Sequence, residues 1–129
     1  MELGKEFSRK FVVDRNIYQG FRDLFNDNNP LHTFDEFAKQ YGFSEKVMYG
    51  NILNGFISFF VGECLPIKNV AILSQTIDYK SPVYLNDILD LHAKITNIVE
   101  AVNVVEFKFK FINQNQINVA KGNIQIKII

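Results

Sequence analysis

The sequence predicts an α+β domain in which helices precede an antiparallel sheet. In the first half, apolar residues recur at helical spacing. From Ala71 onward, apolar and polar residues alternate with a period of two. Helices and strands that are segregated along the chain favour an antiparallel sheet over the strand–helix alternation of parallel sheets. A chain of 129 residues has room for one core of ordinary size, so we expect residues 1–129 to form one domain.

The helices of the first half have recognisable start and stop signals. Asp14 can cap a first helix whose apolar face has the spacing i, i+4, i+7 and i+8, with the residues Ile17, Phe21, Leu24 and Phe25. Residues 26–30 are short and polar, end in proline and predict a loop. Thr33 and Glu36 have the spacing of a capping box, which predicts a short second helix that Gly42 ends.

A third helix, at residues 51–64, is apolar on most of its circumference, which is typical of a buried helix, and Pro66 ends it. Residues 5–13 predict an extended segment before the first helix. Four alternating segments predict half-buried strands at residues 71–79, 89–95, 105–111 and 124–128. A curved sheet with one apolar face can cover the apolar helix. A sheet wrapped around a central helix is the hot-dog fold.

Composition and charge exclude several classes of protein. Lys+Arg and Asp+Glu both number 14, so the basic surplus of a general nucleic-acid binder is absent. A single cysteine cannot form an internal disulfide, and with two histidines it supplies too few ligands for a structural zinc site. We find neither a signal-peptide pattern nor an apolar segment long enough to span a bilayer. We therefore expect a cytoplasmic protein with no nucleic-acid, membrane or metal partner.

The candidate catalytic residues lie in the loop after the first helix. Asp27 and His32 are five residues apart in this loop. Loops held by rigid elements commonly carry catalytic groups, and an acid with an imidazole can activate water and transfer a proton. For an arbitrary pair with this spacing, a turn residue and a loop residue are the more common explanation. The surrounding sequence decides between these two interpretations.

Two turns carry a wider resemblance. Residues 25–32 resemble the signature of the MaoC-like (R)-specific enoyl-CoA hydratases, in which an aromatic residue and Gly-Asp-x-Asn-Pro precede an aliphatic residue and histidine. Residues 79–87 are similar to that family's Phe-x-x-Pro-Val-x-x-Gly-Asp turn. In this chain Asn26 and Asn86 replace the two glycines. Asparagine tolerates positive φ better than most residues, so both turns can be kept.

The resemblance continues along the central helix. Gly50 matches the glycine that opens this helix in the family, and Tyr49 replaces the histidine that commonly precedes it. Ser58 lies eight residues after Gly50, as the family's active-site serine does, although a small polar residue inside a helix explains it equally well. Residues 62–66 are similar to the family's Gly-x-x-Leu-Pro helix end. The resemblance therefore extends over nearly the whole chain, from Gly4 onward.

The resemblance implies an enzyme of fatty acid metabolism that reversibly adds water to trans-2-enoyl thioesters and forms (R)-3-hydroxyacyl thioesters. The thioester would belong to CoA or to acyl carrier protein as part of the substrate, with no separate cofactor. Asp27 and His32 would share one water, and the N–H of Gly50 would donate to the thioester oxygen. Three further residues are assigned to substrate binding by the resemblance: Asn29, Tyr49 and Ser58.

Two other functions fit the same fold. A hot-dog thioesterase needs a carboxylate elsewhere, often on the central helix, where Glu63 is the one acidic residue and lies at the far end. A protein that binds acyl thioesters without catalysis would not need both Asp27 and His32. A hot dog of 129 residues wraps only part of its helix and leaves its edge strands open to pairing. The resemblance adds that two sheets join edge to edge, so we expect a homodimer or a larger homo-oligomer.

The remaining candidate residues have simpler explanations. His92 lies on the polar side of a predicted strand, which predicts a surface position. Cys64 ends the apolar helix and is expected to fill apolar space. The alternating Glu106, Lys108 and Lys110 are expected to form a solvated strand face.

Overall fold

A five-stranded sheet dominates the computed structural model, which describes all 129 residues. The strands are β1 (Glu6–Val12), β2 (Val70–Tyr79), β3 (Ile88–Val99), β4 (Val104–Ile112) and β5 (Asn118–Ile128). Their order across the sheet is β1-β3-β4-β5-β2, and all neighbouring strands are antiparallel. The α+β class is confirmed, and the extended segment predicted before the first helix is one edge strand of the sheet.

The helical segments are α1 (Arg15–Phe25), α2 (Pro30–Thr33), α3 (Asp35–Gln40) and α4 (Asn51–Phe59), and α4 continues as a π-helical turn, Phe60–Cys64. As predicted, Asp14 caps α1, because its Oδ1 accepts the N–H of Ile17 at 2.9 Å. None of these helices is both long enough and apolar enough to cross a bilayer.

The predicted capping box is wrong. Thr33 is the last residue of α2, and its hydroxyl donates to the carbonyl of Asn29 at 3.2 Å. Phe34 takes the N-cap position of α3 and makes no side-chain cap. The cause lies upstream, because Asn29 and Pro30 start a helical turn of their own and include Thr33 in it.

The hydrophobic core lies between α4 and one face of the sheet. The buried residues of α4 and its π-helical turn are Ile52, Leu53, Phe56, Ile57, Phe60 and Val61. Phe60 packs edge to face on Phe107 of β4, with ring centroids 6.1 Å apart. Each fully buried side chain of this size contributes about 1.5–3 kcal/mol of hydrophobic free energy. This packing fixes the position of α4 on the sheet.

The prediction that the central helix is buried on nearly all sides is wrong for the single chain. One side of the helix is exposed, including Asn51, Gly55, Ser58, Phe59 and Gly62. Phe59 is 42% exposed. One five-stranded sheet covers one side of the helix, and α1 packs against part of the remainder. The other side therefore faces solvent.

A β-bulge interrupts the strict alternation predicted for residues 71–79. The register of β2 on β5 shifts between Ile72 and Ser74, so Leu73 is the extra residue. Ile72 pairs with the buried Ile126 and therefore faces inward, whereas the predicted alternation had placed Leu73 on that face. Leu73 is 52% exposed.

Candidate active site

The loop from residues 26–32 is held by its own polar side chains. Asn26 ends α1 in the left-handed conformation, with φ 52°. The Asp27 Oδ1 accepts the N–H of Asn29 at 3.1 Å, and the Asn29 Oδ1 accepts the N–H of Leu31 at 2.9 Å. Asn86 in the second turn has φ 70°. Both asparagines that replace glycines of the family pattern therefore adopt positive φ, as predicted.

The His32 imidazole has a defined tautomer when it is neutral. Its Nδ1 lies 2.7 Å from the carbonyl oxygen of Val47. A carbonyl oxygen only accepts, so Nδ1 carries the proton and Nε2 is left as a proton acceptor. The backbone of the same residue is fixed as well, because the hydroxyl of the buried Tyr18 donates to the His32 carbonyl at 2.6 Å.

Tyr49 joins the two ends of the loop. Its ring stacks on Phe21 and lies against the His32 imidazole, with centroid distances of 4.7 and 4.5 Å. Its hydroxyl donates to the carbonyl oxygen of Asp27. Burial raises the pKa of Tyr49, and the charges of Tyr18 and Asp27 raise it further. Tyr49 therefore stays neutral at physiological pH and keeps the proton that holds the loop.

Gly50 is the N-cap residue of α4. The N–H groups of Gly50 and Asn51 donate to no acceptor in the protein. Free N–H groups at the start of a helix, together with the helix dipole, favour negative charge at this position. Asn51 begins the helix, so both donors lie at its N-terminal end.

Residues at the start of α4 line two cavities. His32, Tyr49 and Gly50 line a cavity of about 500 Å³. Asp27 lines an open groove of about 1120 Å³ between α1 and α4. Ser58 lies on the exposed side of α4 and lines neither cavity. The structure thus brings three of the candidate residues into one cavity, with Asp27 in the neighbouring groove.

Comparison with known proteins assigns the family. Residues 4–116 match the sequence pattern of the MaoC like domain. The chain belongs to the MaoC-like domain family. The solved structure of the (R)-hydratase from A. caviae involved in PHA biosynthesis superposes with a TM-score of 0.90 at 23% identity, over 100% of this chain and 98% of that one. This likeness confirms the hot-dog fold.

Two relatives of this MaoC-like domain have named activities. It is 30% identical over 97 residues to a 3-hydroxybutyryl-CoA dehydratase of Methylorubrum extorquens, over 75% of this chain and 58% of the relative. It is 26% identical over 108 residues to an (R)-specific enoyl-CoA hydratase of Aeromonas caviae, over 84% of this chain and 81% of the relative. The chain thus spans little more than half the length of the first of these relatives.

The other candidate residues of the MaoC-like domain lie away from the two cavities. His92 is exposed on β3, as predicted. Glu63, the residue considered for a thioesterase, is exposed at the far end of the helix, with its carboxylate 3.7 Å from the Lys68 ammonium. No group of three or more His, Cys, Asp and Glu side chains is close enough together to hold one metal ion.

Sequence reasoning missed two tyrosines of this region. Tyr18 holds the His32 backbone, and Tyr79 lines the cavity with His32 and Gly50. Tyr18 has no motif around it, because its role depends on a hydrogen bond across 14 positions of the chain. Tyr79 did carry a signal, since it occupies the phenylalanine position of the second turn and adds a hydroxyl there.

Proposed function

We propose that this MaoC-like domain catalyses the reversible addition of water to trans-2-enoyl thioesters, with (R)-3-hydroxyacyl thioesters as products. Family membership and the named activities of the relatives support hydration and dehydration as the reaction class. The concentrations of the enoyl and 3-hydroxyacyl thioesters set the direction of the net reaction, since one catalyst accelerates both hydration and dehydration. The thioester belongs to CoA or to acyl carrier protein.

One observation carries this proposal, namely that His32 and Gly50 line the same cavity. His32 offers an unprotonated Nε2, and Gly50 offers a free N–H at the start of α4. Hydration needs both groups. A base takes a proton from the attacking water, and a donor stabilises the negative charge that develops on the thioester oxygen.

Asp27 and His32 together handle the proton in this scheme. The water oxygen forms a bond to the β-carbon while the pair takes one water proton. The electrons of the double bond move to the thioester oxygen beside Gly50. A proton then goes from the pair to the α-carbon, so one water is added and the enzyme regains its starting protonation state. One loop carries Asp27 and His32, so both steps take place on one face of the alkene, which agrees with a single product enantiomer.

The remaining assigned residues have supporting roles. Asn29 caps α2 and so orients the loop that carries Asp27 and His32. Tyr49 contributes its ring to the cavity and its hydroxyl to the Asp27 carbonyl. Ser58 is exposed in the single chain, and we propose that it reaches substrate or water when a second copy covers that side of α4.

The test is incubation with crotonyl-CoA, with enoyl absorbance, free thiol and product chirality measured together. We expect absorbance to fall without release of thiol and the product to be (R)-3-hydroxybutyryl-CoA. Release of thiol would indicate a thioesterase, no change in either signal would indicate a binding protein, and an (S) product would contradict the proposed mechanism.

Two variants test the assigned groups. Asp27→Asn and His32→Ala should each reduce turnover at least a thousandfold, near the full contribution of a general acid–base group. Asp27 is exposed, so the melting temperature of Asp27→Asn should change little. His32→Ala also loses the contacts with Val47 and Tyr49, so its turnover is measured well below its own melting temperature. Asp23→Asn and His92→Ala are matched controls, because both residues are exposed and line neither cavity. Near wild-type turnover in either loop variant would contradict the catalytic role of the residue it replaces.

A further inference from the structure

Tyr79 lies directly beside the start of α4. A methyl group placed on Gly50 would be 2.9 Å from the Cε1 and Cζ atoms and 3.2 Å from the hydroxyl oxygen of Tyr79. Such distances mean that the phenol occupies the space next to the Gly50 Cα. Tyr79 also lines the cavity that contains His32. Its hydroxyl is therefore next to the backbone segment whose N–H is proposed to donate a hydrogen bond to the thioester oxygen.

A directed set of hydrogen bonds leads to the Tyr79 hydroxyl. Gln75 on β2 donates its Nε2 proton to the Oδ1 of Asn54 on α4. The Nδ2 of Asn54 donates to the Tyr79 oxygen at 3.5 Å and to the Oδ1 of Asn51 at 2.7 Å. The Tyr79 oxygen is thus an acceptor within the protein.

No protein atom accepts the Tyr79 hydroxyl proton, because this hydroxyl takes part in the Asn54 contact alone and only as acceptor. Burial raises the pKa of Tyr79, so the proton is retained at physiological pH. Tyr79 is 50% exposed, so a ligand in the cavity can reach the hydroxyl. The Tyr79 hydroxyl is therefore a second hydrogen-bond donor without an acceptor, close to the free N–H of Gly50.

We propose that the Tyr79 hydroxyl is a catalytic hydrogen-bond donor that shares the thioester oxygen with the N–H of Gly50. This inference rests on the proposed hydration. The O–H bond of Tyr79 does not break, and the proton only strengthens its hydrogen bond as negative charge develops on the thioester oxygen. Asn54 and Gln75 are positioning residues, since they fix the oxygen and leave its proton free. The related family pattern has phenylalanine at this position, so this donor is a feature of this chain.

Tyr79→Phe removes the hydroxyl and keeps the ring. Loss of one donor from an oxyanion site typically costs about 10²–10³ in kcat, and a tenfold to hundredfold loss is expected in this variant because the N–H of Gly50 remains. The loss should be in kcat with KM nearly constant, because the bond strengthens in the transition state. The matched control is Tyr41→Phe, since Tyr41 is 65% exposed and lines neither cavity. Equal kcat in Tyr79→Phe and wild type would overturn the inference.

A double-mutant cycle tests the positioning residues. Asn54→Ala should lower kcat in the wild-type background and have no further effect on kcat in the Tyr79→Phe background. Independent, additive losses would overturn the positioning role, because they would mean that Asn54 acts without Tyr79.

A spectroscopic measurement separates this inference from the proposed function. The probe is 2,4-hexadienoyl-CoA, whose conjugation disfavours hydration, bound to Asp27→Asn protein so that chemistry is suppressed. Hydrogen bonds to the thioester oxygen polarise the chromophore, so a red shift is expected with Tyr79 present and a smaller shift with Tyr79→Phe. The same shift in both proteins overturns the Tyr79 role. A shift that depends on Tyr79 in a protein that fails to hydrate crotonyl-CoA would support the donor and overturn the hydratase.

Discussion

The two edge strands of the sheet differ in how they meet solvent. β1 has three charged residues among seven, namely Glu6, Arg9 and Lys10. β2 has one charged residue among ten, Asp78. Leu73 and Tyr79 of β2 are large exposed apolar side chains, and Ile72, although it pairs with the buried Ile126, is 38% exposed. Charges on an edge strand discourage pairing with another chain, so β1 is a protected edge and β2 is an open one.

The open edge coincides with the candidate site. β2 ends at Tyr79, which packs against Gly50, and Gln75 of the same strand contacts Asn54 of α4. Pairing of β2 with its copy in a second chain would cover the apolar edge beside these residues. Under the proposed function, a homodimer paired through β2 is expected to complete the site.

The largest expected effect comes from a charge placed on the open edge. In a symmetric dimer each substitution is present twice, so Leu73→Lys places two uncompensated charges in the apolar interface. We expect light scattering at micromolar concentration to give the mass of one chain, 14.9 kDa, and turnover to fall with the mass. Val12→Lys on β1, at a residue 42% exposed, is the matched control and should leave the mass unchanged.

Two results would break this comparison. A wild-type protein that is already monomeric contradicts the homodimer. A dimer that survives Leu73→Lys and dissociates with Val12→Lys would mean that β1, and not β2, forms the interface.

An intermediate effect is expected at Gly122, which lies in β5 next to β2. A Cβ at this position would lie 1.9 Å from the carbonyl oxygen of Thr76 and 2.9 Å from the Phe109 ring, so β2 must move. Gly122→Ala should lower the free energy of unfolding by about 3 kcal/mol, the upper end of usual overpacking costs. Urea denaturation measures this change.

Gly20→Ala is a control that should change the free energy of unfolding in the opposite direction. Gly20 lies inside α1, and nothing is within 4 Å of an added Cβ. Alanine should therefore stabilise the protein by about 0.5–1 kcal/mol through helix propensity. Stability of Gly122→Ala equal to that of wild type would mean that β2 tolerates displacement from β5.

Apart from the Gly20→Ala control, the smallest effect is expected for Gly50→Ala, which tests whether the C-terminal end of β2 is coupled to the proposed site. The added methyl would meet the Tyr79 ring at 2.9 Å, and an exposed ring can turn away. The fold should survive, because Gly50 has ordinary helical φ and ψ. Turnover should fall about tenfold, a change of about 1.4 kcal/mol in the activation free energy. An unchanged turnover with an unchanged melting curve would contradict the placement of the thioester.

Much of the fold was predictable from periodicity. The strand pattern of residues 105–111 predicted β4, because Phe107 and Phe111 alternate with the exposed Lys108 and Lys110. The bulge at Leu73 was not predictable, because an extra residue depends on the pairing with β5 and not on the local pattern. The capping box failed for a related reason, since two overlapping local signals competed for Thr33.

The sequence indicated which positions to consider for the site, but not which hydrogen bonds their side chains make. The loop motif pointed to Asp27 and His32 by residue type and spacing, and their catalytic role stays a prediction. The bond from His32 to Val47 and that from Tyr49 to the Asp27 carbonyl join segments 15 and 22 positions apart. Such bonds depend on the tertiary arrangement, so a single sequence holds no local signal for them.

The strand order also determines when the site can form during folding. β3, β4 and β5 are consecutive in the sequence and adjacent in the sheet, so each strand can pair with the preceding one as soon as it has been synthesised. The open edge must wait, because Val70 pairs with Ile128 and Tyr79 pairs with Ala120. Pairings between residues so far apart in the chain form slowly, because the entropy of closing the intervening loop is lost before the stabilising contacts are made. During synthesis we therefore expect Tyr79 to settle beside Gly50 only after the last strand has emerged, so that the proposed donor side of the site is among the final parts of the molecule to assemble.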